Sequence, residues 1–260
     1  MIADITREIA EEYFGDLWNS GISGKTYNSY LQVIKMIFKY LGESAELNEN
    51  PCSTIMTKTV ETYSRKDFTE KQVQQIFKGF DTGFFYESSM LQWGPGRKCI
   101  KKKVIREFLP MYREEMKVLL NLCCWTACRG QDGCVMEWDC VDFSRNTITY
   151  VPLKVARSRN HIPVTLPLHP DLRNVLQNAL AWKNKNEPDE NYILPNVARR
   201  FKYNHSGVQK DAMKIIHCAT GLMVTDRNPR GRRKLAANIY SLHSFRHSFV
   251  SFCANAGVPG

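Results

Sequence analysis

Apolar residues recur at helical spacing through most of this chain, and where that rhythm fails the chain turns, changes charge or shifts to strand. Ile2, Ile5, Ile9, Tyr13, Phe14 and Leu17 lie on one side of a first helix over residues 2–18. Ser20-Gly21-Ile22-Ser23-Gly24 breaks it. Tyr27, Tyr30, Leu31, Ile34, Ile37, Phe38 and Leu41 then predict a second helix, ended by Gly42 and the loop Asn48-Glu49-Asn50-Pro51. Two helices of about 40 residues in all make a small core, so residues 1–51 read as a small domain or part of one. Residues 52–67, polar and Thr-rich, read as a linker.

Thr69 with Gln72 forms a capping-box pattern ahead of Val73, Ile76, Phe77 and Phe80, predicting a helix there. Asp81–Pro110, with the breaker Gly94-Pro95-Gly96, has no clear period and reads as irregular. A helix through Tyr112, Met116, Leu119, Leu120 and Cys123 runs on towards Arg129. Alternation at Thr147–Val151 and Ile162–Leu166 predicts two strands flanking an arm with a basic tip. Helices are expected over Pro170–Asn186 and Ser206–Ala219, the latter stopped near Gly221. Ser241 caps a last helix that runs to Gly257. The pattern is mainly α with a small antiparallel β-sheet or hairpin, an α+β class.

Charge sharpens this picture. Lys and Arg number 36 against 26 Asp and Glu, a formal net charge of +10. Such an excess points to a polyanionic partner, nucleic acid before membrane. No apolar run nears the roughly 18 residues a membrane span needs, and the acidic start (Asp4, Glu8, Glu11, Glu12) is unlike a signal peptide, so a cytoplasmic protein is expected. Basic residues cluster at Arg97, Lys98, Lys101, Lys102, Lys103 and Arg106, at Arg157 and Arg159, and at Arg230, Arg232 and Arg233. All are candidates for phosphate contact. Nine cysteines without a C-x-x-C pair read as free thiols, and no metal or other cofactor is expected.

One pattern carries chemistry. In Ser241–His247, His243 and Arg246 stand three apart and share a helix face. A planar five-donor cation beside a titratable imidazole suits gripping a phosphate while a proton moves. Upstream stand Arg129 with Asp132, an i, i+3 pair, and Lys154 on the arm, where Arg157 and Arg159 compete with it for the same role. His247 is expected to pack or bond locally beside Arg246. His161, His169, His205 and His217 read as surface or core residues, and Tyr240, ahead of the helix, is a poor nucleophile candidate.

Taken in order, these segments resemble the tyrosine recombinase (phage integrase) family. Thr126–Asp132 followed by Glu137-Trp138-Asp139-Cys140-Val141-Asp142 is similar to the family's first-arginine box. Tyr150–Pro163 is similar to its lysine hairpin, Leu242–Val258 to its H-x-x-R-H helix, and Thr26–Pro51 to the end of its helical core-binding domain. Cys128 before the arginine and Asp132 in place of a commoner Glu are mild departures, and Asp81–Pro110 is longer than the family norm. The resemblance implies a partial core-binding domain at 1–51, a linker at 52–67 and a catalytic domain over 68–260.

It further implies a site-specific recombinase or integrase working through a 3′-phosphotyrosyl intermediate, with Arg129, Lys154, His243 and Arg246 catalytic and Asp132 and His247 supporting. The implied partner is double-stranded DNA, bound by a homotetramer of the full-length protein. The family's tyrosine would follow Val258, whereas these residues stop at Gly260, so binding without strand cleavage is expected of them. Two other readings stay open: a non-catalytic DNA-binding protein with this fold, and a type IB topoisomerase.

Overall fold

The computed structural model describes residues 4–42, 49–60, 65–93, 99–156, 162–226 and 236–258. The expected Arg97, Lys98, Arg157, Arg159, Arg230, Arg232 and Arg233 contacts fall outside these residues. The chain forms two compact units, one of residues 1–64 with 225–237, the other of 65–224 with 238–260.

In the first unit, α1 (Arg7–Asn19) and α2 (Gly24–Gly42) bury Ala10, Phe14, Tyr27, Leu31 and Phe38 around Cys52. Thr6 caps α1 by accepting from the Ile9 amide. Residues 52–60, though polar, are tied to α2. The Lys35 ammonium donates to the carbonyls of Ser53 and Ile55 at 3.1 and 3.0 Å, and Asn28 exchanges two hydrogen bonds with the Lys58 backbone. Gly24 is required here, because a Cβ would lie 2.1 Å from the Thr59 carbonyl oxygen.

The second unit is organised around α4 (Arg113–Thr126), buried almost all round through Met116, Leu119, Leu120, Leu122, Cys123 and Cys124. Around it pack α3 (Glu70–Thr82), α5 (Gly130–Cys134), α6 (Pro170–Asn186), α7 (Pro195–Thr220) and α8 (Leu242–Asn255). The Thr69/Gln72 capping box forms as the sequence predicts. The expected helix over 206–219 is the end of the longer α7, with a kink at Asn204. In a three-stranded antiparallel sheet, β4 (Thr147–Tyr150) lies between β3 (Val141–Asp142) and β5 (Val164–Pro167).

Asp81–Pro110 is not irregular. It holds a long antiparallel ribbon of β1 (Phe85–Trp93) and β2 (Cys99–Glu107). The eight cysteines whose side chains are described are free thiols. Among the described residues no helix is long and apolar enough to cross a membrane.

Candidate active site

The site begins where α4 stops. The Thr126 hydroxyl donates back to the Leu122 carbonyl at 2.7 Å and accepts from the Cys128 amide at 3.2 Å. This closes the helix three residues before Arg129 rather than at it. Ala127 takes left-handed backbone angles (φ 50°, ψ 21°), a conformation uncommon outside glycine. Its carbonyl accepts from Arg246 Nη1 of α8 at 2.8 Å. Arg129 then stands at the N-cap of α5. Gly130 follows it, and a Cβ there would come within 2.9 Å of Leu242 Cδ1 and 3.3 Å of Leu242 Cβ. The glycine thus lets α5 meet the start of α8, holding the first-arginine segment against the His243–Arg246 segment.

α8 is itself fixed from its buried side. Ser241 and Ser244 cap it reciprocally. Phe245 lies between Phe68, at 4.9 Å between ring centroids, and Phe77, at 6.4 Å. The Ser248 hydroxyl accepts from the Phe68 amide at 2.7 Å, and Ser251 donates to Asp67. His243 and Arg246 are left half-buried on the opposite face, with the exposed His247 ring perpendicular to His243 at 4.8 Å.

Asp132 joins the site to the basic arm. One of its carboxylate oxygens, Oδ1, accepts from the Leu153 amide at 3.1 Å. The other, Oδ2, is buried without a hydrogen bond and lies 4.0 Å from Arg129 Nη1, an ion-pair separation rather than a hydrogen bond. Lys154, the next residue after Leu153, is exposed on the turn Leu153–Ala156. The structure therefore gathers Arg129, Asp132, His243, His247 and Arg246, and places Lys154 at the site's edge through its backbone neighbour. Lys101, Lys102 and Lys103 lie on β2.

The sequence reading assigned no role to three residues at the site. Tyr150, at the end of β4, is buried beside Thr126, Cys128, Asp132 and Arg246. Burial first, then Cys128 and Asp132, pushes its hydroxyl up to about 12, so it stays a neutral phenol. The buried thiols of Cys123 and Cys128 act on each other, so that Cys128 is lowered and Cys123, with burial adding to the effect, is raised. Arg65, within the expected linker, is close enough to act on His243. His169, by contrast, is structural. It caps α6 and stacks on Trp125 at 3.7 Å. Tyr240 is buried and stacks on Phe68.

Burial, then the charges of His247, Arg65, Arg246 and Arg129, hold the His243 imidazole below its ordinary value of 6.5. A histidine lowered in the fold takes up its proton more readily in the unfolded chain. Its contribution is thus complete above the ordinary value and is lost as pH falls below it. Melting temperature should decline between about pH 7 and pH 5, and His243→Gln should make that decline shallower. Equal declines would show that His243 does not carry the effect.

Chemically, two guanidinium forks and an imidazole converge where a phosphate would neutralise them. Among the described residues no three His, Cys, Asp or Glu side chains cluster as metal ligands. A separate cavity of about 510 Å³, lined by Arg113, Val118, Trp182, Tyr192 and Asn196 among others, includes none of the site residues.

In fold, the chain is similar to the Tn1549 transposon integrase in complex with circular intermediate DNA (15% identity, TM-score 0.59, 100% of this chain and 76% of that one). It is also similar to lambda integrase, seen as a dimer bound to a COC′ core site (12%, 0.60, 98% and 59%). A third similar structure is the XerH site-specific recombinase bound to difH substrate (13%, 0.56, 98% and 61%). No curated protein sequence matches the chain. The family model that does match covers residues 98–260, from β2 through Arg129, Lys154, His243 and Arg246 to the end of α8, and the chain belongs to the phage integrase family.

Proposed function

We propose that this protein is a site-specific DNA recombinase, and that Arg129, Lys154, His243 and Arg246 are the groups that act on the scissile phosphate. The observation that carries the reading is the convergence of Arg129, His243 and Arg246, from segments over a hundred residues apart, around one half-buried face. In the reaction a tyrosine hydroxyl attacks phosphorus, a 3′-phosphotyrosyl bond forms and the 5′-oxygen leaves. By the family resemblance, that tyrosine would follow α8. Negative charge grows on the non-bridging oxygens, where the two guanidinium forks supply donors. His243, neutral near pH 7, accepts the tyrosine proton or holds a phosphate oxygen. Lys154, on its exposed turn, protonates the leaving 5′-oxygen. Reversal of the same steps on a new strand rejoins the DNA without ATP.

Asp132 is a positioning residue, holding Leu153 by its amide and Arg129 by charge. His247 supports His243 from the rim. The basic segments track the phosphate backbone and set affinity rather than sequence choice. The protein, bacterial or phage-encoded, works in the cytoplasm as a homotetramer on DNA.

These 260 residues are expected to bind duplex DNA steeply with salt, losing about a thousandfold between 50 and 200 mM if some six phosphates are neutralised. On a nicked suicide substrate a protein continuing to the tyrosine should be trapped as a covalent adduct. Failure of that longer protein to be trapped, with binding intact, would favour a non-catalytic DNA-binding role.

A further inference from the structure

The ribbon of β1 and β2 belongs to no part of the site just described, yet it is one of the longest features of the second unit. Its base is anchored. Tyr86 pairs with Arg106 and lies under the Lys214 ammonium of α7, 3.1 Å from the ring centroid, and Ser88 and Val104 are partly buried. Beyond the Ser88–Val104 pair the described side chains are all exposed: Ser89, Met90 and Leu91 on β1, Lys101, Lys102 and Lys103 on β2. From that pair to Trp93 and Cys99 the strands run another five residues, a reach of roughly 17 Å.

Charge along the ribbon is sorted by position. Both carboxylates, Glu87 and Glu107, are at the anchored end, whereas residues 88–103 contain basic residues and no acidic one. Cross-strand register sorts the cations again. Lys101 and Lys103 lie on one face, opposite Leu91 and Ser89, and Lys102 lies on the other, opposite Met90. Lys103 spends its charge on Glu87 at 2.9 Å, leaving Lys101 and Lys102 to face outwards in opposite directions. An arm lying flat on a polyanion needs cations on one face only. Cations on both faces suit a ribbon standing between two rows of negative charge.

Resting on the DNA-binding reading above, we propose that the free half of this ribbon enters the major groove of duplex DNA outside the cleavage site, with Lys101 and Lys102 contacting phosphates on its opposite walls. The groove, about 12 Å wide and 8.5 Å deep, admits a two-stranded ribbon, and the free reach exceeds its depth. Strand addition by a second copy of the chain is the competing occupant. A lysine-rich edge opposes it, because like charges would lie side by side on pairing.

The test is a salt titration of duplex affinity with these 260 residues, comparing wild type, Lys101→Ala/Lys102→Ala, and Lys183→Ala/Lys185→Ala at the end of α6 as a charge-matched control. The ribbon variant should flatten the slope of log affinity against log salt by about 1.8, twice 0.9, and weaken binding roughly sixty-fold near 0.1 M salt, while the control stays near wild type. It should also lose protection of guanine N7, a major-groove atom, from dimethyl sulfate over one end of the footprint. An unchanged slope, an equal loss in the control, or persistent N7 protection overturns the ribbon's role while leaving the DNA reading intact. Wild-type protein that shows no salt-dependent binding overturns both.

Discussion

Phe245→Ala should cost this fold about 3–5 kcal/mol, the range for a fully enclosed aromatic side chain, and lower the melting temperature by on the order of 10 °C. Phe245 has no exposed surface and joins α8 to both Phe68 and Phe77. Removing it opens a cavity exactly at the seam that sets the height of α8. Thermal melting followed by circular dichroism would register the loss, and a change under 1 kcal/mol would mean that α8 is held by its Ser241, Ser248 and Ser251 hydrogen bonds instead.

Arg246→Ala, one residue along, should do the reverse. The guanidinium is half-buried and donates a hydrogen bond to the Ala127 carbonyl, so stability should fall by only about 1 kcal/mol. On the role proposed for it, as a donor to the transition-state oxygens, strand cleavage by a protein that carries the tyrosine should fall at least a hundredfold, about 3 kcal/mol. Duplex affinity, spread over many cations, should change little. Arg246→Lys should restore only part of the rate, since a point charge replaces a planar fork. A large loss of DNA affinity in Arg246→Ala would assign the residue to binding and not to the reaction.

The contrast explains what the sequence could disclose. Buried periodicity and caps are local, so the helices around Phe14, Leu31, Ile76 and Leu119 could be read directly, as could Ser241 at the head of α8. His243 and Arg246 were legible because three residues on a helix is a fixed geometry. The β1–β2 ribbon was not. Ser89, Met90 and Leu91 and the facing Lys101, Lys102 and Lys103 are exposed on both faces, so nothing there enforces alternation, and Ser-Ser-Met-Leu-Gln carries no period of two. The hydrogen bond from the Leu153 amide to Asp132 was equally hidden, since it spans 21 residues and uses a backbone donor that every residue but proline has. Arg65 was obscured for another reason. Its segment has few apolar anchors, so only the tertiary fold brings it near His243.

The left-handed turn at Ala127 has a consequence for how this site can vary. Arg246 is moored to a carbonyl, an atom common to all twenty residue types, and the mooring is encoded in torsion angles rather than in a side chain. Drift at position 127 can therefore pass unnoticed by the chemistry as long as φ stays positive, and glycine would hold it with less strain than alanine. A β-branched residue, which resists that angle, would slacken the arginine without touching it.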